Sequence, residues 1–343
     1  MKERIRCAVL GLGRLGYWHA ENLATRINGA QLDCVADPFA EQAEKVAREL
    51  GVKKWTQFTY EVFEDSSIDA VIIATPTSTH ADLIKRAANS GKHIFVEKPL
   101  THDLDEADEV IQEINQNHVV CQVGFMRRFD PAYAEARKRI LAGDIGKPIY
   151  FKGVSRDPGS PPAEFIKNSG GIFLDMSIHD YDIARFLMGS EVTSVSSHGN
   201  ILVNSFMEEF NDVDQAITYL TFESGAAGDI EASRNAFYGY DIRGEVIGTE
   251  GSIVIGSLKY HDVQILTSRG STHDIVPAFP ERFKDAYQLE MAHFIDCLRK
   301  NEKPSVTEID GKMALEIGVA ARKSFETGEK VHLENTRKCS SPM

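Results

Sequence analysis

A histidine with carboxylates one helical turn away is the feature of this sequence that most directly suggests catalysis. Asp175 precedes His179 by four residues, and Asp182 follows it by three. Residues at these separations lie on one face of a helix, so the spacing predicts an imidazole flanked by carboxylates. Such an imidazole can act as a general base, because the carboxylates stabilise its charged form after it has accepted a proton.

Two other interpretations of the same helix remain open. The cluster could bind a metal ion, although no further histidine or cysteine stands nearby in the sequence, and we expect no metal. It could also be a charged helix face exposed to solvent. We favour the acid–base interpretation because residues 1–125 predict a ligand-binding cleft, where titratable groups are commonly functional.

Lys98 is a second candidate for catalysis. It follows a short apolar run, residues 93–96, in the sequence Glu97-Lys98-Pro99. Open α/β sheets bind ligands outside the carboxyl ends of their strands, so we expect Lys98 to point into a cleft, although it could also be an ordinary surface lysine. An amine in the cleft can hydrogen-bond a substrate hydroxyl and favour its developing alkoxide. Pro99 restricts the backbone that aims the side chain, and a cis bond is one way to do so.

A glycine-rich turn near the start of the chain predicts a cofactor beside these groups. The run 4–10 reads as a strand, a helical pattern follows the turn, and the turn itself is Gly11-Leu12-Gly13-Arg14-Leu15-Gly16. Such a turn could merely permit a sharp reversal, but between a strand and a helix it is typical of dinucleotide sites. Gly11 allows the tight turn, Gly13 the approach of a pyrophosphate, and Gly16 the packing of helix on strand. The helix N-terminus offers N–H groups and positive dipole to the phosphates.

Asp37 completes the predicted cofactor site. It closes a second apolar run, 32–36, and lies 21 residues after Gly16, about where a carboxylate can accept both ribose hydroxyls. A carboxylate there repels a 2′-phosphate, and no Arg or Lys follows before Lys45. The sequence therefore predicts NAD rather than NADP.

Alternating strands and helices in residues 1–125 predict a doubly wound parallel sheet. After Gly124 the pattern changes to helices and then, over 192–266, to strands with the short connections typical of antiparallel pairing. We therefore predict an α/β Rossmann dinucleotide-binding domain followed by an α+β domain with an open, mainly antiparallel sheet. The predicted boundaries are 1–125 for NAD binding, 126–335 for substrate binding and oligomerisation, and 336–343 for a frayed tail.

Two segments of the second domain bear on the site. Residues 173–188 read as one helix, which would carry Asp175 and His179. Residues 156–171 read as a long loop, rich in proline and closed by two glycines. Long loops in compact domains are often lids, although a disordered connector is the alternative.

The overall composition excludes several classes of function. The net charge of −13 argues against nucleic acid or an anionic membrane surface as a main partner. The five cysteines are odd in number and scattered, which favours reduced thiols and a cytoplasmic protein. No apolar run approaches the ~20 residues that a membrane-spanning helix needs.

The chain resembles the glucose–fructose oxidoreductase/inositol dehydrogenase family over nearly its whole length. Glu97-Lys98-Pro99 is a specific mark of this family, and Met126-Arg127-Arg128 combined with Asp175 and His179 is most similar to its inositol 2-dehydrogenase branch. The resemblance rests on the glycine-rich turn and on Thr75-Pro76-Thr77-Ser78-Thr79-His80, Glu97-Lys98-Pro99, Gly124-Phe125-Met126-Arg127-Arg128-Phe129-Asp130, Asp175-x-x-x-His179 and Tyr238-Gly239-Tyr240-Asp241.

The resemblance implies a homotetrameric NAD enzyme that oxidises a cyclic polyol, myo- or scyllo-inositol, to the ketone. It implies that His179 accepts the hydroxyl proton while hydride leaves the same carbon. It also implies that Lys98 orients the hydroxyl and that Asp175 keeps the catalytic side chains in position. It adds further cofactor contacts at Thr75, Pro76, Thr77, His80, Glu97 and Lys98. It also adds further substrate contacts at Arg127, Asp157, Tyr240 and Tyr287.

The exact substrate stays open at this point. Asp157 stands where the resemblance leads us to expect Asn in myo-inositol enzymes, which leaves the preferred isomer undecided. Tyr240 lies at alternating strand spacing and could belong to the core instead. Two rival functions remain: a dehydrogenase of an aldose or another sugar alcohol, and a non-catalytic NAD-sensing regulator with the same fold.

Overall fold

The computed structural model describes residues 3–333. The chain divides into two compact units, one comprising the chain up to Phe129 with Asp285–Leu315, the other Asp130–Lys284 with the chain from Glu316 onward. Residues 285–315, which the sequence-based division places in the second domain, thus cluster with the first unit. The boundaries at 125 and 335 stay predictions, and both the predicted tail, 336–343, and Cys339 lie outside the described residues.

In the first unit, strands and helices alternate along the chain. In order they are β1 (Ile5–Leu10), α1 (Arg14–Thr25), β2 (Ala30–Ala36), α2 (Ala40–Leu50), β3 (Lys54–Thr56), α3 (Thr59–Glu64), β4 (Ala70–Ile73), α4 (His80–Asn89), β5 (His93–Glu97), α5 (Leu104–Gln116) and β6 (Cys121–Gly124). Over the described residues the sheet order is β3-β2-β1-β4-β5-β6, with every neighbouring pair parallel. This is the dinucleotide-binding order, and the predicted Rossmann domain is confirmed.

The second unit contains helices and one larger sheet. In chain order the elements that follow are α6 (Pro131–Ala142), β7 (Pro148–Arg156), α7 (Ala163–Ser169), α8 (Ile172–Asp175), α9 (Ile178–Met188), β8 (Val192–Asn200), β9 (Gln215–Phe222), β10 (Ala227–Ser233), β11 (Asp241–Gly248), β12 (Ser252–Ile255), β13 (Ile265–Thr267), β14 (Gly270–Thr272), α10 (Phe279–Lys300), α11 (Glu308–Thr327) and β15 (Val331–His332). Helices α10 and α11 each cross from one unit to the other along the chain.

The larger sheet is mixed but mostly antiparallel, as predicted. Its order over the described residues is β12-β11-β7-β10-β9-β8-β15, in which β7 and β10 are parallel and the other neighbours antiparallel. Strand β9 illustrates the two faces of this sheet. Leu220 and Phe222 point into the core, whereas Ile217 and Tyr219 alternate with them and are exposed. The second face of this sheet therefore carries apolar side chains at the surface.

The core of the first unit lies between its sheet and the covering helices. Cys7 and Val9 of β1 pack with Leu23 of α1 and with Phe294 of α10. Strands β1 and β4 are almost entirely apolar because helices cover both faces of a parallel sheet. The carboxyl ends of the strands are thereby fixed, and the predicted cofactor residues follow them.

Two details of the second domain differ from the sequence predictions. The predicted single helix 173–188 is wrong, because α8 ends at Asp175 and α9 begins at Ile178. The Ser177 N–H donates to the Ile172 carbonyl five residues back, which widens that turn relative to an α-helix. The predicted uninterrupted loop 156–171 is also wrong, since it contains α7.

Candidate active site

The three glycines of the first turn serve different purposes. Gly11 has φ +85°, and a Cβ added at Gly16 would lie 1.9 Å from the Gly11 carbonyl oxygen. The fold itself therefore requires glycine at these positions. At Gly13, by contrast, an added Cβ would have no described protein atom within 4 Å. Space beside the backbone at Gly13 is what an approaching pyrophosphate needs.

Helix α1 begins directly at this turn, with Gly13 as its N-cap residue. No described side chain caps it by a hydrogen bond, and its first turn contains no acidic residue. The first N–H groups of a helix have no acceptor within the helix. They and the helix dipole fit an anionic ligand, so the turn suits the phosphates of a dinucleotide.

Asp37 lies at the end of β2, next to the glycine turn. Its Oδ2 accepts the Leu12 N–H at 2.8 Å, and its Oδ1 accepts the Phe39 N–H at 3.0 Å. The side chain is buried and is held by the backbone on both oxygens. Each carboxylate oxygen has a further lone pair, which leaves acceptor capacity for ribose hydroxyls.

The loops after β4 and β5 are joined by His80. The His80 ring is buried, with Nδ1 2.9 Å from the Pro99 carbonyl oxygen and Nε2 3.1 Å from the Thr75 carbonyl oxygen. Burial lowers the pKa of His80, so the neutral ring donates to one carbonyl at a time. The Lys98–Pro99 peptide bond is cis, which confirms the bond type that the sequence suggested.

Glu97, the residue before Lys98, is paired with a histidine that the sequence predictions missed. His19 Nε2 lies 2.7 Å from Glu97 Oε1, with both side chains buried. The His19 ring also packs edge-to-face on Phe95 and Tyr287, with ring centroids 5.1 Å and 6.0 Å away. The sequence pattern could have revealed this pair. His19 shares the buried side of α1 with Gly16 and Leu23, and a buried polar residue needs a hydrogen-bond partner.

Several predicted site residues lie in the first unit and differ in how far they are buried. Lys98 is half-buried, Arg127 is buried in the short helical turn Met126–Phe129, and Tyr287 is buried on α10. Thr75 and Thr79 exchange a hydroxyl hydrogen bond of 2.7 Å. The first unit therefore carries the predicted cofactor residues together with Lys98, Arg127 and Tyr287.

The second unit carries the other predicted residues. Asp157 follows β7, Tyr240 precedes β11, and the Tyr240 ring packs edge-to-face on Phe283 at 6.3 Å. His179 is half-buried near the start of α9, and Asp175 is the last residue of α8.

Asp182, the second carboxylate predicted beside His179, has a cationic neighbour of its own. It is buried, with Oδ1 3.9 Å from an Arg185 nitrogen. Such a separation is that of an ion pair at long range. Asp182 thus lies in a charged environment that the sequence did not predict.

Arg234 was also missed by the sequence predictions. Its guanidinium is buried, and one terminal nitrogen donates to Asp175 Oδ2 at 3.3 Å. A basic residue directly after a strand gives only a weak signal, because most arginines at such positions face solvent. The structure shows that this one faces a predicted catalytic carboxylate.

The described residues place no group of three or more His, Cys, Asp or Glu side chains so as to hold a metal ion. None of the described helices has both the length and the apolar character needed to cross a membrane.

Two family models match the chain in succession. Residues 5–125 match the NAD-binding Rossmann fold of an oxidoreductase family, and residues 137–333 match the C-terminal alpha/beta domain of the same family. The chain belongs to the glucose–fructose oxidoreductase/inositol dehydrogenase family. The resemblance stated from the motifs is thereby confirmed.

Individual relatives of this family cover almost the whole chain. A scyllo-inositol 2-dehydrogenase (NAD(+)) of Bacillus subtilis (strain 168) is 61% identical over 337 residues, covering 98% of each chain. A myo-inositol 2-dehydrogenase of Thermotoga maritima is 41% identical, covering 96% of this chain and 99% of the relative. The crystal structure of scyllo-inositol dehydrogenase from Lactobacillus casei with bound cofactor NAD(H) and scyllo-inositol has a TM-score of 0.91 at 32% identity, covering 96% and 99% of the two chains.

Proposed function

We propose that this protein is an NAD-dependent dehydrogenase that oxidises a cyclic polyol, myo- or scyllo-inositol, to the corresponding ketone. The observation that carries the proposal is the near full-length similarity to the scyllo-inositol 2-dehydrogenase of Bacillus subtilis. The predicted reaction residues Lys98, Asp175 and His179 are all present in the chain. A regulator without catalysis would not require this combination of an amine, a carboxylate and an imidazole.

The first unit is proposed to bind NAD. The glycine turn and the start of α1 hold the pyrophosphate, and Asp37 accepts hydrogen bonds from the adenosine ribose. Bound there, NAD supplies the acceptor for a hydride. His80 and Glu97 are buried, so they act by holding the two loops that face the cofactor, while Thr75, Pro76 and Thr77 line the loop after β4.

Three side chains are proposed to take part in removing the proton of the substrate hydroxyl. Lys98 donates a hydrogen bond to the substrate hydroxyl and stabilises negative charge as it develops on that oxygen. His179 accepts the hydroxyl proton as the C–H bond of the same carbon gives up its hydride. Asp175 keeps the catalytic side chains in position. The proton and the hydride together account for the two hydrogens lost when an alcohol becomes a ketone.

Recognition of the ring is proposed to come from the polar side chains of Arg127, Asp157, Tyr240 and Tyr287. A site built to hydrogen-bond hydroxyls rejects analogues that lack them, because its buried polar groups would be left unpaired. Asp157, as a carboxylate, can only accept hydrogen bonds from hydroxyls. It is therefore the residue proposed to set the preferred isomer.

The second unit is proposed to serve substrate binding and assembly into a homotetramer. The surface face of its sheet carries the apolar side chains of Ile217, Tyr219, Ile247 and Val254, which are 38–73% exposed. Exposed apolar side chains of this kind are common at protein interfaces. A cytoplasmic location is proposed from the free thiols at Cys7, Cys34, Cys121 and Cys297.

A panel assay tests the function. The protein is mixed with NAD or NADP and with myo-inositol, scyllo-inositol, other isomers, aldoses and acyclic sugar alcohols, and the absorbance of the reduced nicotinamide is followed. We expect the fastest turnover with an inositol and NAD. Faster turnover of an aldose would support the first rival function. NAD binding without turnover of any polyol would support the regulator.

A further inference from the structure

Arg234 is a buried cation beside the proposed catalytic carboxylate. Its side chain is 1% exposed, and its Nε has no hydrogen-bond partner among the described residues. An arginine stays charged inside a protein, so burying it is unfavourable unless a carboxylate lies nearby. Asp175 Oδ2 provides that charge, 3.3 Å from a terminal nitrogen.

The backbone fixes Arg234 in place. Arg234 follows β10, and its N–H donates to the Asp214 carbonyl at 2.8 Å. The Asp214 carboxylate in turn accepts the backbone N–H groups of Leu202, Val203 and Asn204 at 2.7–2.8 Å. The guanidinium is therefore presented from a rigid strand end and not from a mobile loop.

Asp212 caps the start of α8, the short helix that ends at Asp175. The Oδ1 of Asp212 accepts the Ile172 N–H, the first of helix α8, at 2.9 Å. Gly171, at φ +81°, leaves room for this contact, because an added Cβ would lie 2.8 Å from the same oxygen. A helix of four residues has no stability of its own. The position of Asp175 thus depends on Asp212 at the start of α8 and on Arg234 at its carboxylate.

We propose that Arg234 is a positioning residue that holds the Asp175 carboxylate in its reactive place through their partly buried ion pair. The inference rests on the proposed function, since it assigns Asp175 to the reaction. In this assignment Arg234 acts through Asp175 and not directly on the substrate or cofactor. A catalytic group displaced by about 1 Å loses on the order of 100-fold in rate, which is the scale of effect expected when the pair is broken.

The test compares Arg234→Met, Arg234→Lys and a control, Arg137→Lys. Arg137 is a half-buried arginine of the second unit with no proposed role in the site, and its Nη1 donates to the Leu187 carbonyl at 3.3 Å. Arg234→Met removes the charge and should lower kcat by about 100-fold with the Kd for NAD unchanged. Arg234→Lys keeps one cationic donor and should recover part of kcat. Arg137→Lys should lower stability slightly while leaving kcat as in the wild type.

The outcomes separate positioning from simple structural support. The proposal is overturned if Arg234→Met, measured well below its Tm, turns over as fast per folded molecule as the wild type. It is also overturned if Arg234→Lys and Arg137→Lys reduce kcat equally. Should Arg234→Met not fold, the comparison of the two lysine variants still decides.

A measurement without turnover distinguishes this inference from the proposed function. The Tm values of the wild type, Arg234→Met, Asp175→Asn and the double variant together form a double-mutant cycle. This cycle reports the coupling between the two side chains. We expect the double variant to lose less than the sum of the two single losses. Additive losses overturn the ion pair. If the wild type is inactive on every polyol but the cycle shows coupling, the proposed function is refuted and the ion pair is not.

Discussion

His19 Nε2 lies 2.7 Å from Glu97 Oε1, so the helix that begins at the glycine turn is tied to the residue preceding Lys98. A carboxylate can only accept hydrogen bonds, so Nε2 is the donor. His19 is fully buried and Glu97 nearly so. The contact links the end of the first unit's sheet that carries Lys98 to the helix proposed to hold the pyrophosphate.

Removing this donor should destabilise the protein. In His19→Phe the Glu97 carboxylate stays buried without it, which costs about 1–3 kcal/mol and more if the group remains charged. His19→Gln keeps an N–H donor and should lose less. Urea unfolding of both variants measures the difference. Equal stability of His19→Phe and the wild type would show that the contact contributes nothing.

Lys98 should be needed for turnover and much less for cofactor binding. In Lys98→Ala the donor to the developing alkoxide is lost, and the loss of one such donor costs about 100- to 1000-fold in kcat. NAD affinity should remain nearly intact, because the glycine turn supplies the pyrophosphate contacts. Steady-state kinetics and NAD titration measure the two effects. Exposed Lys138, changed to Ala, is the control, and a Lys98→Ala variant with most of its activity would refute the assignment.

Gly16 and Gly13 form a matched pair for separating folding from cofactor binding. In Gly16→Ala the new Cβ would collide with the Gly11 carbonyl oxygen, 1.9 Å away, so stability should fall by about 1–3 kcal/mol or more. In Gly13→Ala no described atom is nearby, and the Tm without cofactor should stay near the wild type.

The cofactor affinities of the same two variants complete the test. A Cβ at Gly13 points into the space proposed for the pyrophosphate, so Gly13→Ala should bind NAD about 10- to 100-fold more weakly, as when one or two charge-assisted contacts are lost. Calorimetry of NAD binding measures this. Unchanged affinity in Gly13→Ala would place the pyrophosphate elsewhere.

The architecture of the first unit was predictable because each local signal agreed with the fold. Gly11 and Gly16 are required by backbone contacts, and β4 is apolar because both of its faces are covered. The strand β3 was not predicted, since Lys54 and Trp55 are exposed and a three-residue edge strand buries too little to leave an apolar pattern.

The second unit was predictable only in outline. The break between Asp175 and His179 lies where the Ser177 N–H donates to the Ile172 carbonyl, a contact that no helical periodicity reveals. Arg234 and His19 escaped prediction because their importance comes from partners distant in sequence, Asp175 and Glu97. Spacing arguments detect neighbours on one element, and these pairs join different elements.

Asp37 should control the choice between NAD and NADP. Asp37→Ser removes the charge that repels a 2′-phosphate and also removes an acceptor of the ribose hydroxyls. Loss of hydrogen bonds to a charged group costs about 1.5–3 kcal/mol, so the KM for NAD should rise about 10- to 100-fold. The ratio of kcat/KM for NADP to that for NAD should increase. Exposed Asp82, changed to Ser, is the control, and an unchanged ratio would contradict the assigned role.

Asp214 should make stability depend on pH at the acidic end. Burial acts to raise the pKa of Asp214, but the N–H groups of Asn204, Leu202 and Val203 outweigh it and hold the pKa below its ordinary value. A group with a lowered folded-state pKa stabilises the protein above its unfolded pKa, about 3.9 for Asp. That contribution is lost as the pH falls through the folded-state pKa.

Asp214→Asn measures this contribution directly. An amide nitrogen would replace one carboxylate oxygen and face N–H donors from residues 202–204, at a cost of about 1.5–3 kcal/mol at neutral pH. Urea unfolding of the wild type and the variant between pH 7 and pH 2 should show a constant difference above about pH 4 that narrows below it. Asp82→Asn, at an exposed position, should show no such trend. A difference for Asp214→Asn that stays constant into strong acid would mean that the carboxylate charge does not stabilise the loop, and the arrangement that fixes the backbone of Arg234 would need another explanation.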